Sequence, residues 1–521
     1  MSRSRNKWRR ALACAAVSAL CTVSACRAAV DQVAAQGSGT FASPRDGGTL
    51  VVAQTQDPDP GSFLKTSLGN VLTEQSVLET LTSIDQKTGK PRGVLARSWH
   101  VAADGKSMDL TLRDGVKFHS GATLDADDVI FTLKKAQDPA TGAANQAIAS
   151  DISGMKAVGD DELKLSFSKP LPNIYDLFET MPILNPATYA QYAAGKVVDG
   201  TGPFVWKSWT PGAKVQLARF PGYRDADKIH LDRIEINIIS DPTAMLSAIR
   251  SGRIQYGNGV SALDAYTLSE QPGFKAISVG GSAFPLAIDV SQKPFDNKLV
   301  RQAVQYAIDR KRIVQQVESG QGTAASLPWR ETTTVGYDKA GARHYTYDPE
   351  KAKRLLKQAG VSDLSFNMVT LNTPEATGVF QIVRNNLAAV GLHADAEALS
   401  ATEYDSRLAA GKLGAPVTLM LASNGLSPAS AVVSRPELLA AGNPQNFSSP
   451  TYTRLVKDVT NATGEAAQAK ALKAYDDYFL DQAFAVPVLV RPGIAVSTRA
   501  VHGLVGTQMG FINLNHVWLG Q

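Results

Sequence analysis

The order of elements along this chain predicts an α/β protein. From Gly47 onward, short apolar strand patterns alternate with amphipathic helices that carry clear caps. Leu50-Val51-Val52-Ala53 reads as a buried strand, stopped by Asp57-Pro58-Asp59-Pro60-Gly61. Asp241-Pro242 starts a helix that stops at Gly252, with Met245, Leu246 and Ile249 on one face. Asp348-Pro349 starts another, with Ala352, Leu355, Leu356 and Ala359 at helical spacing before Gly360. Asp as N-cap, Pro at the first helical position and Gly past the end all suit the unpaired backbone groups there. A strand near 364–371, a helix near 375–390 and a strand near 392–399 then form a βαβ unit, whose strands should be parallel with a right-handed crossover.

Earlier in the chain, Ser98-Trp99-His100-Val101 and Met108-Asp109-Leu110-Thr111-Leu112 flank Asp104-Gly105, a hairpin signal because glycine accepts φ > 0. Arg113-Asp114-Gly115 makes a second turn, and Val116-Lys117-Phe118 continues the strand pattern. Asp125 can cap the helix that runs through Val129-Ile130-Phe131-Thr132-Leu133, with further carboxylates at its positive end.

The first 25 residues are of another kind. Arg3, Arg5, Lys7, Arg9 and Arg10 precede an uncharged run from Ala11 to Ala25, the pattern of a secretory signal peptide. That run is shorter than the about 20 residues a membrane span needs. Val23-Ser24-Ala25-Cys26 resembles a lipobox, in which Cys26 is diacylated and becomes the mature N-terminus; an unlipidated signal peptide is the other reading. Residues 26–46 are mostly small and polar and read as a flexible tether, reaching ~25 Å by random-coil scaling.

Charge agrees with that cut. The chain has 53 Lys+Arg and 48 Asp+Glu. Removing residues 1–25 takes away five of the former and none of the latter, leaving 48 of each. No electrostatic case for nucleic acid or an anionic membrane surface survives. All three cysteines lie at or before Cys26, so no disulfide or thiolate metal site is expected beyond it. No later segment approaches a membrane span, and no internal repeat is found.

The stretch LARSWHVAADGKSMDLTLRDGVKFHSGATLDADDVIFTL, from Leu95, is similar to the signature of the extracytoplasmic solute-binding proteins of peptide and nickel ABC importers, family 5. Four further stretches match in order. Thr201-Gly202-Pro203-Phe204-Val205 with Trp209 and Gly222-Tyr223 resembles the family's GTGPY…W…NPDY region, and DNKLVRQAVQYAIDRKRIV, from Asp296, resembles its VRQALAYAIDRE helix. YDPEKAKRLLKQAG, from Tyr347, and NFSSPTYTRL, from Asn446, complete the set.

The resemblance implies a two-lobed periplasmic-binding-protein-like fold of type II, with the ligand cleft between lobes. Lobe I would hold residues 47–280 and 490–521, with an extra subdomain at about 80–200, and lobe II residues 281–489. The crossings would lie near Gly280-Gly281 and Arg491-Pro492-Gly493, whose glycines suit hinges but equally suit ordinary turns. The implied role is that of a lipid-anchored monomer outside the cytoplasm. It would capture oligopeptides or dipeptides and deliver them to the transmembrane subunits of an ABC permease. The same role for a metal chelate, a siderophore-like compound or an oligosaccharide is the alternative.

In peptide-binding relatives a carboxylate within the stretch GWCADYNEP holds the ligand's amino group. That stretch aligns best with Leu421-Ala422-Ser423-Asn424-Gly425-Leu426-Ser427-Pro428, so Asn424 takes the acidic position and Leu421 that of a tryptophan. Losing charge assistance costs ~1–2 kcal/mol, so either the amine is held elsewhere or the ligand is not a simple free-amine peptide. Ser423 neighbours this position. Ser67, Gly69 and Asn70 follow the first strand, where the family contacts ligand backbone; Trp329 and Phe284 could face the cleft or pack in the interior.

No cofactor is expected. His100, His119, His230, His344, His393, His502 and His516 include no pair at i, i+3 or i+4, which argues against a protein-built metal cage, and His119 reads as structural. No Gly-x-Ser-x-Gly, His-Glu-x-x-His or Gly-x-x-x-x-Gly-Lys motif is found, so a binding protein is favoured over an enzyme. The adjacent acids Asp127-Asp128, Asp160-Asp161 and Asp476-Asp477 read as solvated faces or helix starts.

Overall fold

The computed structural model describes residues 43–65, 68–85, 88–423, 425–507, 510 and 512–520. Cys26, Ser67 and Asn424 lie outside these, as do the leader and nearly all of the tether. Among the described residues, eleven strands form one mixed sheet. The first strand, Thr49–Gln54, is hydrogen-bonded in parallel to Arg233–Ile238 on one side and Tyr256–Asn258 on the other. Its Leu50, Val52 and Ala53 are buried, as a strand covered on both faces requires.

Two long strands, Phe274–Ile288 and Ala485–Thr498, pair antiparallel with each other from Phe274↔Thr498 to Ala287↔Ala485. At one end Ser497 and Val496 pair with Tyr256 and Gly257; at the other Leu286–Ile288 pair with Leu419–Val417. The register slips between Val279 and Gly281, where Gly280 has φ +47° and its N–H donates to Thr507 O at 2.8 Å. A residue in this left-handed region fits glycine best.

The apolar core divides at that slip. Leu50, Phe204, Ile234 and Tyr256 cluster with Ala495, Val501, Ile512, Leu514 and Val517 from the chain's end. A second group runs from Phe284 to Leu489, and a third, from Leu327 to Ala485, is rich in stacked aromatics such as Phe447 and Phe484, 4.2 Å apart.

The βαβ expectation holds: Leu364–Leu371 and Leu392–Leu399 are parallel, joined by the helix Pro374–Ala388. The helices at Pro242–Arg250 and Pro349–Gln358 begin with Asp241 and Asp348 accepting from Ala244 N and Lys351 N. Ala96–Val101, Ser107–Leu112, Glu162–Phe167 and Ile152–Val158 make a separate four-stranded antiparallel sheet. Its first hairpin turns at Gly105, φ +68°. The helix Ala126–Gln137 carries a full capping box between Asp125 and Asp128. Val116-Lys117-Phe118 does not extend a strand; after the left-handed Gly115 it forms a loop with one bridge, Lys117 to Thr123, and buries Val116 and Phe118.

Asp476 corrects the reading of adjacent acids as solvated. It lies four residues after the buried Leu472 on the helix Glu465–Gln482, on the same face as Tyr475 and Phe479. Its carboxyl is fully buried, accepts from Trp329 Nε1 at 2.6 Å, and burial pushes its pKa up to about 8. The folded chain therefore holds a proton that the unfolded chain releases between the ordinary carboxylate range and about 8, so this group's contribution to stability declines as pH rises through that window. Denaturant titrations should show Asp476→Asn with a flatter stability profile between about pH 5 and 8 than the parent. Asp476→Ala, which orphans the indole N–H, should lose about 1–3 kcal/mol.

Candidate ligand-binding cleft

A cavity of about 670 Å³ opens between elements whose side chains belong to different cores. Lys90, Tyr175 and Asp176 line one wall; Glu331, Pro428 and Leu472 line the other. The walls meet at Asp176, on the helix Ile174–Thr180. Its Oδ2 accepts from the Ser427 hydroxyl at 2.6 Å and from the Ser430 hydroxyl, and Ser427 N approaches Oδ1 at 3.5 Å. These serines open the helix Pro428–Ser434, with Ser427 as its N-cap. Burial raises the Asp176 pKa, and the two hydroxyls counter part of that rise.

Acids outnumber bases among the described lining residues, although Glu331 is paired with Lys339 at 2.6 Å. Glu331 and Glu465 join Asp176, while Lys90 is the single cation among the described lining residues. Lys90 is 3.0 Å from Glu465, an exposed pair that contributes little.

Ile84 also lines a second cavity, of about 250 Å³, between the Glu74–Val77 turn of helix and the chain's last strands. Glu79 at its edge is occupied: Arg224 donates to both its oxygens at 2.6 and 2.7 Å, and Tyr223 Oη donates at 3.0 Å. Glu179, on the same helix as Asp176, accepts from Ile84 N at 3.3 Å and is pushed up to about 8 by burial.

A third polar group gathers where the long strands slip register. Arg491 Nε donates to Ser282 Oγ at 2.8 Å, its Nη1 lies 3.2 Å from Glu318, and its guanidinium stacks 5.3 Å from the Phe284 ring. Arg330 Nη1 donates to Gly280 O at 2.9 Å.

Several expected site residues prove to be internal. Trp329 is buried with its only polar atom bonded to Asp476. Phe284 is buried beneath Arg491. Asn70 is fully buried and clasps Asp59, accepting from its N–H at 2.8 Å and donating to its carbonyl at 3.0 Å. None of these three side chains offers surface to a ligand here. Gly69 is constrained by a close approach, since a Cβ there would lie 1.9 Å from Asp57 O. Ser423 lies in the two-residue strand paired with Ser282 and Ala283, which brings it to the Arg491 group, and the adjoining Leu421 is 46% exposed. His119 is structural: a ring nitrogen lies 2.9 Å from Gly202 O and the ring packs edge-on against Phe220.

Asp176, Glu331 and Glu74 were not legible as cleft residues. The one available signal was an acid inside an apolar run, Ile174-Tyr175-Asp176-Leu177-Phe178. Among the described residues no group of three or more His, Cys, Asp or Glu could hold a metal ion, and no helix is long and apolar enough to cross a membrane.

Comparison with known proteins agrees with this architecture. Residues 90–433 match the family of bacterial extracellular solute-binding proteins, family 5. Heme-binding protein A of Haemophilus influenzae is 26% identical over 480 residues, covering 84% of this chain and 86% of that protein. Glutathione-binding protein GsiB of Escherichia coli K12 is 25% identical over 450 residues, covering 82% and 86%. The oligopeptide-binding protein AppA from Bacillus subtilis, solved with a nonapeptide, superposes with a TM-score of 0.74 at 21% identity, over 92% of this chain and 100% of that one. The chain belongs to the family 5 bacterial extracellular solute-binding proteins: it is no enzyme but a receptor that binds a small solute outside the cytoplasm for an ABC importer.

Proposed function

We propose that this receptor captures short peptides, dipeptides or oligopeptides, and that a lipid on Cys26 holds it as a monomer at the outer face of the cell membrane, beside its permease. Lobe I comprises residues 47–280 and 490–521, with the subdomain at about 80–200, and lobe II residues 281–489. The division of the apolar core at the register slip supports these bounds.

The observation that carries the peptide reading is the lining of the larger cavity. Its volume, about 670 Å³, falls in the usual range for small-ligand pockets. Apolar Pro428, Val335 and Leu472 alternate with carboxylates, which suits a chain with an ammonium end and varied side chains. Glu465 and Glu331 are paired with Lys90 and Lys339, and burial raises the Asp176 pKa, so the lining is close to charge-balanced and suits a zwitterion such as a free peptide. A metal chelate or an oligosaccharide is the second reading. Leu421, exposed, and the backbone at Gly69 and Ser423 are further proposed contacts, as by resemblance are Ser67 and Asn424; Leu421, Gly69 and Ser423 are outside the lining of the two described cavities.

Closure is stabilised by the bonds between Asp176 and the two serines, because the ligand favours the state in which the walls meet. Burial raises the Asp176 pKa, so the closed state is favoured while the proton is held and is weakened as pH rises above the ordinary carboxylate range. Asp176→Ala should loosen ligand binding roughly tenfold or more, with an increased radius of gyration of the loaded protein by small-angle scattering. It should also lose the pH dependence of closure.

Native mass spectrometry of protein purified without denaturation tests the ligand class. A ladder of short-peptide masses is expected; a single chelate or sugar mass favours the second reading. No copurified solute, with scattering unchanged across peptide, chelate and glycan libraries, would overturn both. Cys26→Ser should abolish the diacyl mass and release the protein from the membrane fraction.

A further inference from the structure

We propose that the smaller cavity, between the Glu74 helical turn and the C-terminal strands, is an ammonium-binding pocket in which Glu74 takes the ligand's amino group. This rests on the peptide reading for the identity of the ligand, but not for the chemistry of the pocket.

Glu74 is 4% exposed, and among the described residues no hydrogen bond or ion pair reaches its carboxyl. A buried carboxyl without a partner is costly in either protonation state and far more so when ionised. The group lines a cavity of about 250 Å³, large enough for an amine and the first carbons attached to it. Asn515, 8% exposed, also lines this space, and its Oδ1 is buried without a donor. Two side chains beside the same void thus have oxygens that lack hydrogen bonds. An ammonium supplies three N–H donors and the positive charge that an isolated carboxylate lacks.

The surrounding charges leave this role open. Glu79 is neutralised by Arg224, and Tyr192, near Glu74 from the other side, accepts from Phe63 N. Asp85 at the rim accepts from Thr88, and Arg92 at the rim is exposed and donates to Ser83 Oγ. Burial alone pushes Glu74 up to about 8, so the empty pocket holds a proton at neutral pH. Seating an ammonium favours the ionised form and expels that proton. Ile84 lines both cavities, so they adjoin, and a ligand whose body lies in the larger one would have to pass this side chain for its amino end to enter the smaller. In this assignment the negative charge absent at the aligned Asn424 position is provided by Glu74.

Calorimetric titration of the full chain with trialanine, N-acetyl-trialanine and putrescine tests the assignment, in the parent and in Glu74→Gln. The parent should bind trialanine roughly tenfold or more tighter than its acetylated form. In buffers of different ionisation enthalpy it should release about one proton per amine below pH 8. Putrescine, which keeps its charge above pH 8, should bind more tightly as pH rises toward 8 and then level off. Glu74→Gln should lose the preference and the proton release while melting no lower than the parent, since it removes the buried ionisable group. A parent indifferent to acetylation, or a variant that keeps the preference, overturns the pocket. Trialanine binding without any role for Glu74 removes this inference and leaves the peptide reading standing. Putrescine binding through Glu74, with no tripeptide bound, does the reverse. A parent that binds none of the three overturns both.

Discussion

The antiparallel pair Phe274–Ile288 and Ala485–Thr498 is the constraint on which the rest depends. These are the two connections between one core and the other, and they are hydrogen-bonded to each other along nearly their whole length. Paired strands resist stretching and shear but tolerate twist where the ladder is interrupted. Here the interruption falls at Gly280, beside Arg330 and Arg491. Arg330 ties to the backbone at Gly280 and Arg491 to the side chains of Ser282 and Glu318, so both guanidinium groups brace the strands beside the slip.

Buried acids recur on both sides of the cleft. Glu74, Asp176, Glu179 and Asp476 are each raised by burial, and they differ in what compensates them: nothing, two hydroxyls, a backbone amide and an indole. The four also differ in where their partners lie. Asp476 and Glu179 are bonded within a single core, whereas Asp176 is bonded to a helix whose residues pack in another. Asp176 and Glu74 both line a cavity, but Glu74 alone of the four has a carboxyl that no hydrogen bond reaches among the described residues.

Local structure was largely legible. Asp-Pro caps and terminal glycines fixed the helices at Pro242–Arg250 and Pro349–Gln358, because capping chemistry is decided within four residues. The βαβ unit was equally local. The cleft was not, because its pairings join positions far apart: Asp176 meets Ser427 and Ser430, and Glu74 shares a cavity with Asn515. Trp329 and Phe284 show the same limit from the other side. An aromatic beside a proline has no local mark distinguishing a cleft wall from a core, and only the distant partners Asp476 and Arg491 decide it.

The chain's last residues, Ala495 to Val517, complete a core begun at Leu50. The contacts that fill this core therefore join segments separated by more than two hundred residues, and pairings of such separation form slowly because long loops must close before they are rewarded.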